Sequence, residues 1–112
     1  MIYSLDKINE MADGDQDFVV SVISVFLEEV PSDVAALENA IAAKDYEQIR
    51  KMAHKIKPNV DLLGMEQTRA NALDLETLGK NQGDMDEIEK KFPMLKLDIE
   101  QVIGELKTDF KL

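Results

Sequence analysis

The sequence contains no cysteine, which excludes a disulfide framework, a thiolate nucleophile and a cysteine-ligated zinc. Its single histidine leaves few ways to build a histidine-rich metal site. No run approaches the roughly 18 consecutive apolar residues of a membrane span. The start, Met1-Ile2-Tyr3-Ser4-Leu5-Asp6, lacks the basic-then-apolar order of a secretory signal. Both absences predict a cytoplasmic protein without membrane association. Positive charge is also scarce: 13 Lys and Arg stand against 23 Asp and Glu, a net charge of −10, which disfavours binding to a nucleic-acid backbone. No glycine-rich nucleotide loop occurs, so an autonomous kinase is not expected.

What the chain does have is apolar side chain at helical spacing. At 112 residues and 45% hydrophobic content it has the size and core material of a single domain over 1–112. Five Gly and three Pro are too few to break it into short strands, and apolar residues recur at three and four rather than alternating. Ser4 is placed to cap a short helix over about 5–12, with Gly14-Asp15 as a stop and a new N-cap. Phe18, Val22, Phe26, Val30, Val34, Leu37 and Ile41 keep one face through Pro31, which fits either a bent long helix or two in series. Tyr46, Ile49, Ala53, Ile56, Val60 and Leu63 predict a helix over about 46–63 with Gly64 as its C′ residue.

Ala72, Leu75 and Leu78 mark a further helix over about 66–79, before the polar break from Gly79 to Gly83. Asp84 and Glu87 resemble a capping box. The last helix carries Ile88, Phe92, Leu95, Ile99, Val102, Leu106 and Phe110, with Pro93 as a kink or restart. The fold class is therefore all-α: an antiparallel up-down four-helix bundle with a short extra N-terminal helix.

His54 follows the core residue Ala53 by one step of the helical wheel, at the edge of the buried stripe. Arg50, His54, Lys57 and Asp61 fall at i, i+4, i+7 and i+11, which predicts one exposed polar line. Residues 44–57 hold Lys44, Arg50, Lys51, Lys55 and Lys57 against only Asp45 and Glu47. An acidic protein has thus gathered positive charge around one imidazole. Neutral imidazole is a nucleophile at neutral pH, and an ammonium one turn away balances phosphate charge, so the arrangement suits a phosphoryl group carried on nitrogen. A solvated histidine on a basic helix face has the same composition and periodicity, and these alone do not separate the two.

The segment Ala53-His54-Lys55-Ile56-Lys57, with Gly64 ten residues after the histidine, resembles the signature of histidine-containing phosphotransfer (HPt) domains of two-component phosphorelays. Phe26-Leu27-Glu28-Glu29-Val30-Pro31 followed by Leu37, Ala40 and Asp45 is similar to that family's first long helix, and the likeness runs from about 15 to 110. The resemblance implies that His54 accepts a phosphoryl group from the aspartyl phosphate of a response-regulator receiver domain, or from a hybrid sensor histidine kinase, and passes it to another receiver. It implies Lys57 as the residue that neutralises the phosphate oxygens. Glu76, 22 positions after the histidine, becomes a candidate for orienting the imidazole through Nδ1. The receiver would supply Mg²⁺, with no cofactor in this chain.

The sequence departs from the family at Pro58, where a glycine is common four residues after the histidine. A proline there has no N–H for the carbonyl of His54 and costs roughly 3 kcal/mol against alanine inside a helix. Asn59, Val60 and Asp61 also replace the usual small residues. Arg50, Lys51, Lys55, Pro58 and Asp61 are the expected partner-binding residues around His54. A monomeric carrier is the main expectation, and a noncatalytic helical adaptor binding a receiver through the same face is the alternative. A metal-binding bundle would need Glu-x-x-His pairs or several inward carboxylates, and the chain around His54 has no such pair.

Overall fold

The structure, a computed structural model, describes residues 3–112. Five helices account for nearly all of them: α1 (Asp6–Ala12), α2 (Gln16–Ala42), α3 (Tyr46–Leu62), α4 (Glu66–Lys80) and α5 (Met85–Phe110). Among the described residues there is no strand, and no helix is long and apolar enough to cross a membrane. The turns between α2 and α5 are only three or four residues long, which sends each helix back along its predecessor. The all-α bundle with a short extra helix in front is thus the observed architecture.

Local chemistry fixes where the long helices start and stop. Asp15, Asp45 and Asp84 each accept a hydrogen bond from a backbone N–H in the first turn of α2, α3 and α5, satisfying one of the orphan donors there. Asp84 bonds the N–H of Asp86 rather than that of Glu87. At the other ends, α2, α3 and α4 close with paired 6→1 and 5→2 hydrogen bonds around a residue in the left-handed region. That residue is Gly64 after α3 (φ +65°), as expected, but Lys44 after α2 and Gln82 after α4. Ser4 sits one residue further out than a cap: Leu5 holds the N-cap position, and the Ser4 hydroxyl accepts from the N–H of Asp6.

The prolines do not divide the helices. α2 runs unbroken through Pro31 and α5 through Pro93, so each is one long helix. A proline removes one hydrogen bond, and the buried faces on both sides of it outweigh that loss. Ile23, Phe26, Val30 and Leu37 flank Pro31, while Ile88, Phe92, Leu95 and Ile99 flank Pro93, and all are buried. Burial of each such side chain is worth roughly 1.5–3 kcal/mol. The register of the first half of α2 differs from the expected stripe. Val19 and Ile23 enter the core, whereas Phe18 and Val22 are half-buried and line a cleft with Ile8 and Leu62. Ile8 of α1 lies on the other side of that cleft, so the flank carrying Phe18 and Val22 is only partly covered.

The chain ends are tied to the bundle. The N–H of Ser4 donates to the carbonyl of Leu63 at 2.7 Å, and the Tyr3 hydroxyl donates to the Asp109 carboxylate. Burial, reinforced by Asp109, pushes the Tyr3 phenol up to about 12 from its ordinary 10.0. A raised folded value gives stability that is complete below the unfolded pKa and is lost as pH climbs through the folded one. Ultraviolet titration of Tyr46→Phe, which leaves Tyr3 as the sole tyrosine, should show a transition near 12, and adding Asp109→Asn should move it down. A transition at the ordinary phenol value in the first variant would disprove the contact.

Candidate functional site

His54 lies in the third turn of α3, directly after the fully buried Ala53, so the backbone beneath it is anchored while its own side chain is 65% exposed. The ring Nδ1 is 2.5 Å from Oε2 of Glu76, in the middle of α4. The other oxygen of the same carboxylate, Oε1, accepts from Lys57 Nζ at 2.7 Å. Glu76 is thus shared between the imidazole and the ammonium, and its side chain is only 16% exposed. Burial works to raise its pKa, but the hydrogen bonds from Lys57 and His54 prevail and hold the carboxyl below its ordinary range. An ionised carboxylate only accepts, so Nδ1 carries a proton, and in the neutral ring the lone pair is on Nε2.

Two features let Glu76 reach the imidazole. The short turn around Gly64 folds α4 back against α3, the most extensively packed helix pair of the molecule. One turn beyond Glu76, Gly79 lets the backbones meet: a Cβ there would stand 2.8 Å from the Arg50 nitrogen and 3.0 Å from the Tyr46 oxygen. The sequence reading placed Gly79 in a polar break; it is instead a buried residue inside α4. Helical periodicity gives no sign of such an approach, because a small residue near a helix end reads equally well as a stop.

The remaining expected residues surround His54 but have different jobs in the folded chain. Lys55 reaches to α2, where its Nζ is 2.9 Å from Asp33 Oδ1; Asp33 is buried, and its second oxygen has no partner. Asp61 accepts from Lys7 of α1 at 2.9 Å and lies 3.5 Å from Arg69 of α4. Together with Lys57 on Glu76, these pairs tie α3 to α1, α2 and α4 around the histidine. Arg50 pairs with Glu47 on its own helix at 2.5 Å, and Lys51 and Pro58 are exposed. The helix continues through Pro58 to Leu62, with the His54 carbonyl lacking its usual donor four residues on. Of the expected exposed line only His54 is exposed, since Arg50, Lys57 and Asp61 are half-buried in ion pairs.

Sequence reasoning did not single out Asp33 or Gly79. Asp33 lies between Pro31 and Val34 like any surface acid, and only its contact with Lys55 marks it. Among the described residues, no group of three or more potential metal-ligating side chains converges.

Two variants test the arrangement. A folded carboxyl held low contributes stability that is present above its unfolded pKa and is lost as pH falls through the folded value. Glu76→Gln should therefore flatten the acid limb of a urea-midpoint profile; an unchanged limb would place the carboxylate in solvent. Gly79→Ala gains helix propensity but drives a methyl into backbone that cannot yield without moving α3. We expect a net loss of about 1–3 kcal/mol and, in ¹⁵N spectra, a mixed tautomer at His54.

A family model, the Hpt domain, matches residues 21–105. In three dimensions the chain is similar to the crystal structure of the HPT domain from the Hpt sensor hybrid histidine kinase of Shewanella. The TM-score is 0.83, at 16% sequence identity, over 98% of this chain and 94% of that one. At that identity the likeness speaks for the fold. No curated protein matches the sequence.

Proposed function

The chain belongs to the Hpt domain family, and from that premise we propose that it carries a phosphoryl group on Nε2 of His54 between receiver domains of a two-component phosphorelay. The family places the chain in histidine phosphotransfer signalling; the donor, the acceptor and the roles of individual residues are our reading. The observation that carries it is the Glu76 carboxylate on Nδ1, which leaves the lone pair on Nε2 of an exposed imidazole.

In the proposed step the Nε2 lone pair attacks the phosphorus of a receiver's aspartyl phosphate. The N–P bond forms, the acyl O–P bond breaks, and its electron pair remains on the aspartate carboxylate. Nδ1 keeps its proton, so the product is a phosphoimidazolium whose positive ring is stabilised by Glu76. Delivery to a second receiver is the reverse: the aspartate oxygen attacks phosphorus and the pair returns to Nε2. Holding the ring as an imidazolium keeps it a good leaving group, which is what a carrier needs as opposed to a store. Mg²⁺ is assigned to the receiver, and this chain brings no cofactor.

Lys57 sets the carboxylate in place through its bond to Oε1. Arg50, Lys51, Lys55, Pro58 and Asp61 border the face a receiver would cover, where the local positive charge complements the acidic site of an aspartyl-phosphate protein. The proposed setting is cytoplasmic and the proposed state monomeric, with a hybrid sensor histidine kinase as the upstream source.

His54→Gln tests the proposal. Incubated with phosphorylated receivers, the wild type should gain acid-labile label and the variant none. Circular dichroism and urea unfolding should match to within about 1 kcal/mol, since the side chain is exposed. Transfer to the variant would remove the carrier role, and receiver binding without transfer by the wild type would favour the adaptor.

A further inference from the structure

The charge balance of the site leaves one residue unaccounted for. In the attacking form, whose Nε2 must be unprotonated, a neutral His54 ring with anionic Glu76 and cationic Lys57 makes a neutral group. After transfer the ring has gained one positive charge and the phosphoryl group on it brings about two negative ones near neutral pH. The group then carries an excess negative charge that its own members do not cancel. Lys57 is poorly placed to cancel it, because its ammonium is committed at 2.7 Å to a carboxylate that is itself mostly buried. Releasing Lys57 to the phosphate would strip Glu76 of the partner that keeps it ionised, and with it the hold on Nδ1.

Arg50 has no such commitment. It stands one turn before His54 on the same flank of α3, where residues four apart are neighbours. Its guanidinium forks onto Glu47 of its own helix, Nη2 at 2.5 Å and Nε at 3.5 Å, with side chains 35% and 66% exposed. Both partners meet water, so a phosphate dianion on the neighbouring imidazole outcompetes the single carboxylate charge for the guanidinium. Arg50 also lines a groove with Glu76, Thr77 and Lys80, between α3 and α4. The Gly79 contact that seats Glu76 is made on the backbone nitrogen of Arg50, so the same packing fixes both residues. A planar guanidinium suits phosphate oxygens, binding two at once where an ammonium binds as a point charge.

We propose that Arg50, not Lys57, supplies the mobile positive charge of the site: on phosphorylation it leaves Glu47 and binds the phosphoryl oxygens on His54, with Lys80 across the groove adding to the field. Lys57 is then a positioning residue that acts through Glu76. The assignment rests on His54 being the phosphoryl acceptor.

Phosphorylation by a small donor, phosphoramidate, removes partner docking from the measurement; the rate is followed by ³¹P spectroscopy alongside ¹⁵N tautomer spectra of His54. Arg50→Gln should slow the reaction about tenfold without altering the tautomer, and Arg50→Lys should recover part of the loss. Glu47→Gln, which frees Arg50, should quicken it. Lys57→Gln should instead disturb the tautomer. A wild-type rate in Arg50→Gln, or slowing in Glu47→Gln, overturns the role of Arg50 while His54 remains the acceptor. Failure of the wild type to accept phosphate from either phosphoramidate or a phosphorylated receiver overturns the reading beneath it.

Discussion

One carboxylate organises this molecule's chemistry. Glu76 gives one oxygen to His54 and the other to Lys57, and both bonds exist only because α4 lies tightly against α3. Were the helices an ångström or two further apart, the imidazole would be free to take either tautomer and the ammonium would point into solvent. The bare contact at Gly79 is therefore as much a part of the site as the side chains that face outward. Partial burial sharpens the effect: weakly screened charges interact more strongly than the same groups in water, so a single shared carboxylate orders two partners at once.

Around that bridge the charges of α3 are distributed with little left over. Lys55 is drawn to Asp33 on one side, Lys57 to Glu76 on another, and Asp61 to Lys7 near the helix end. The exposed Lys7–Asp61 pair adds little to stability, whereas Asp33 and Glu76 are largely buried; aimed in three directions, the pairs restrict rotation of the helix about its axis. A histidine on a helix fixed in this way presents its ring in a constant direction. That matters for a proposed reaction in which the attacking nitrogen must line up with a bond in a separate protein.

Much of the architecture could be read from the residues alone, because it follows from local rules. Apolar spacing marks the helices, Asp15 and Asp84 the beginnings of two of them, and Gly64 the end of the one that matters most. His54, Lys57 and Glu76 could be named from their spacing in a resembling family, and the folded chain brings all three together. What escaped were outcomes of packing between elements. Pro31 and Pro93 leave one helix or two equally open until the buried side chains on either side are counted. Phe18 and Val22 continue an ideal stripe, yet they are left half-buried at a cleft while Val19 and Ile23 enter the core. Gly79 and Asp33 look like a stop and a surface acid, and only the neighbouring helix assigns them a role.

The link between Tyr3 and Asp109 spans 106 positions, whereas that between His54 and Glu76 spans 22. Closing the longer loop costs roughly 1.4 kcal/mol more in chain entropy. By loop entropy alone the contact within the α3–α4 hairpin is the cheaper of the two to close. The reactive pair is thus held by neighbours close in sequence, on two consecutive helices, and does not share a residue with the contact that joins Tyr3 to Asp109.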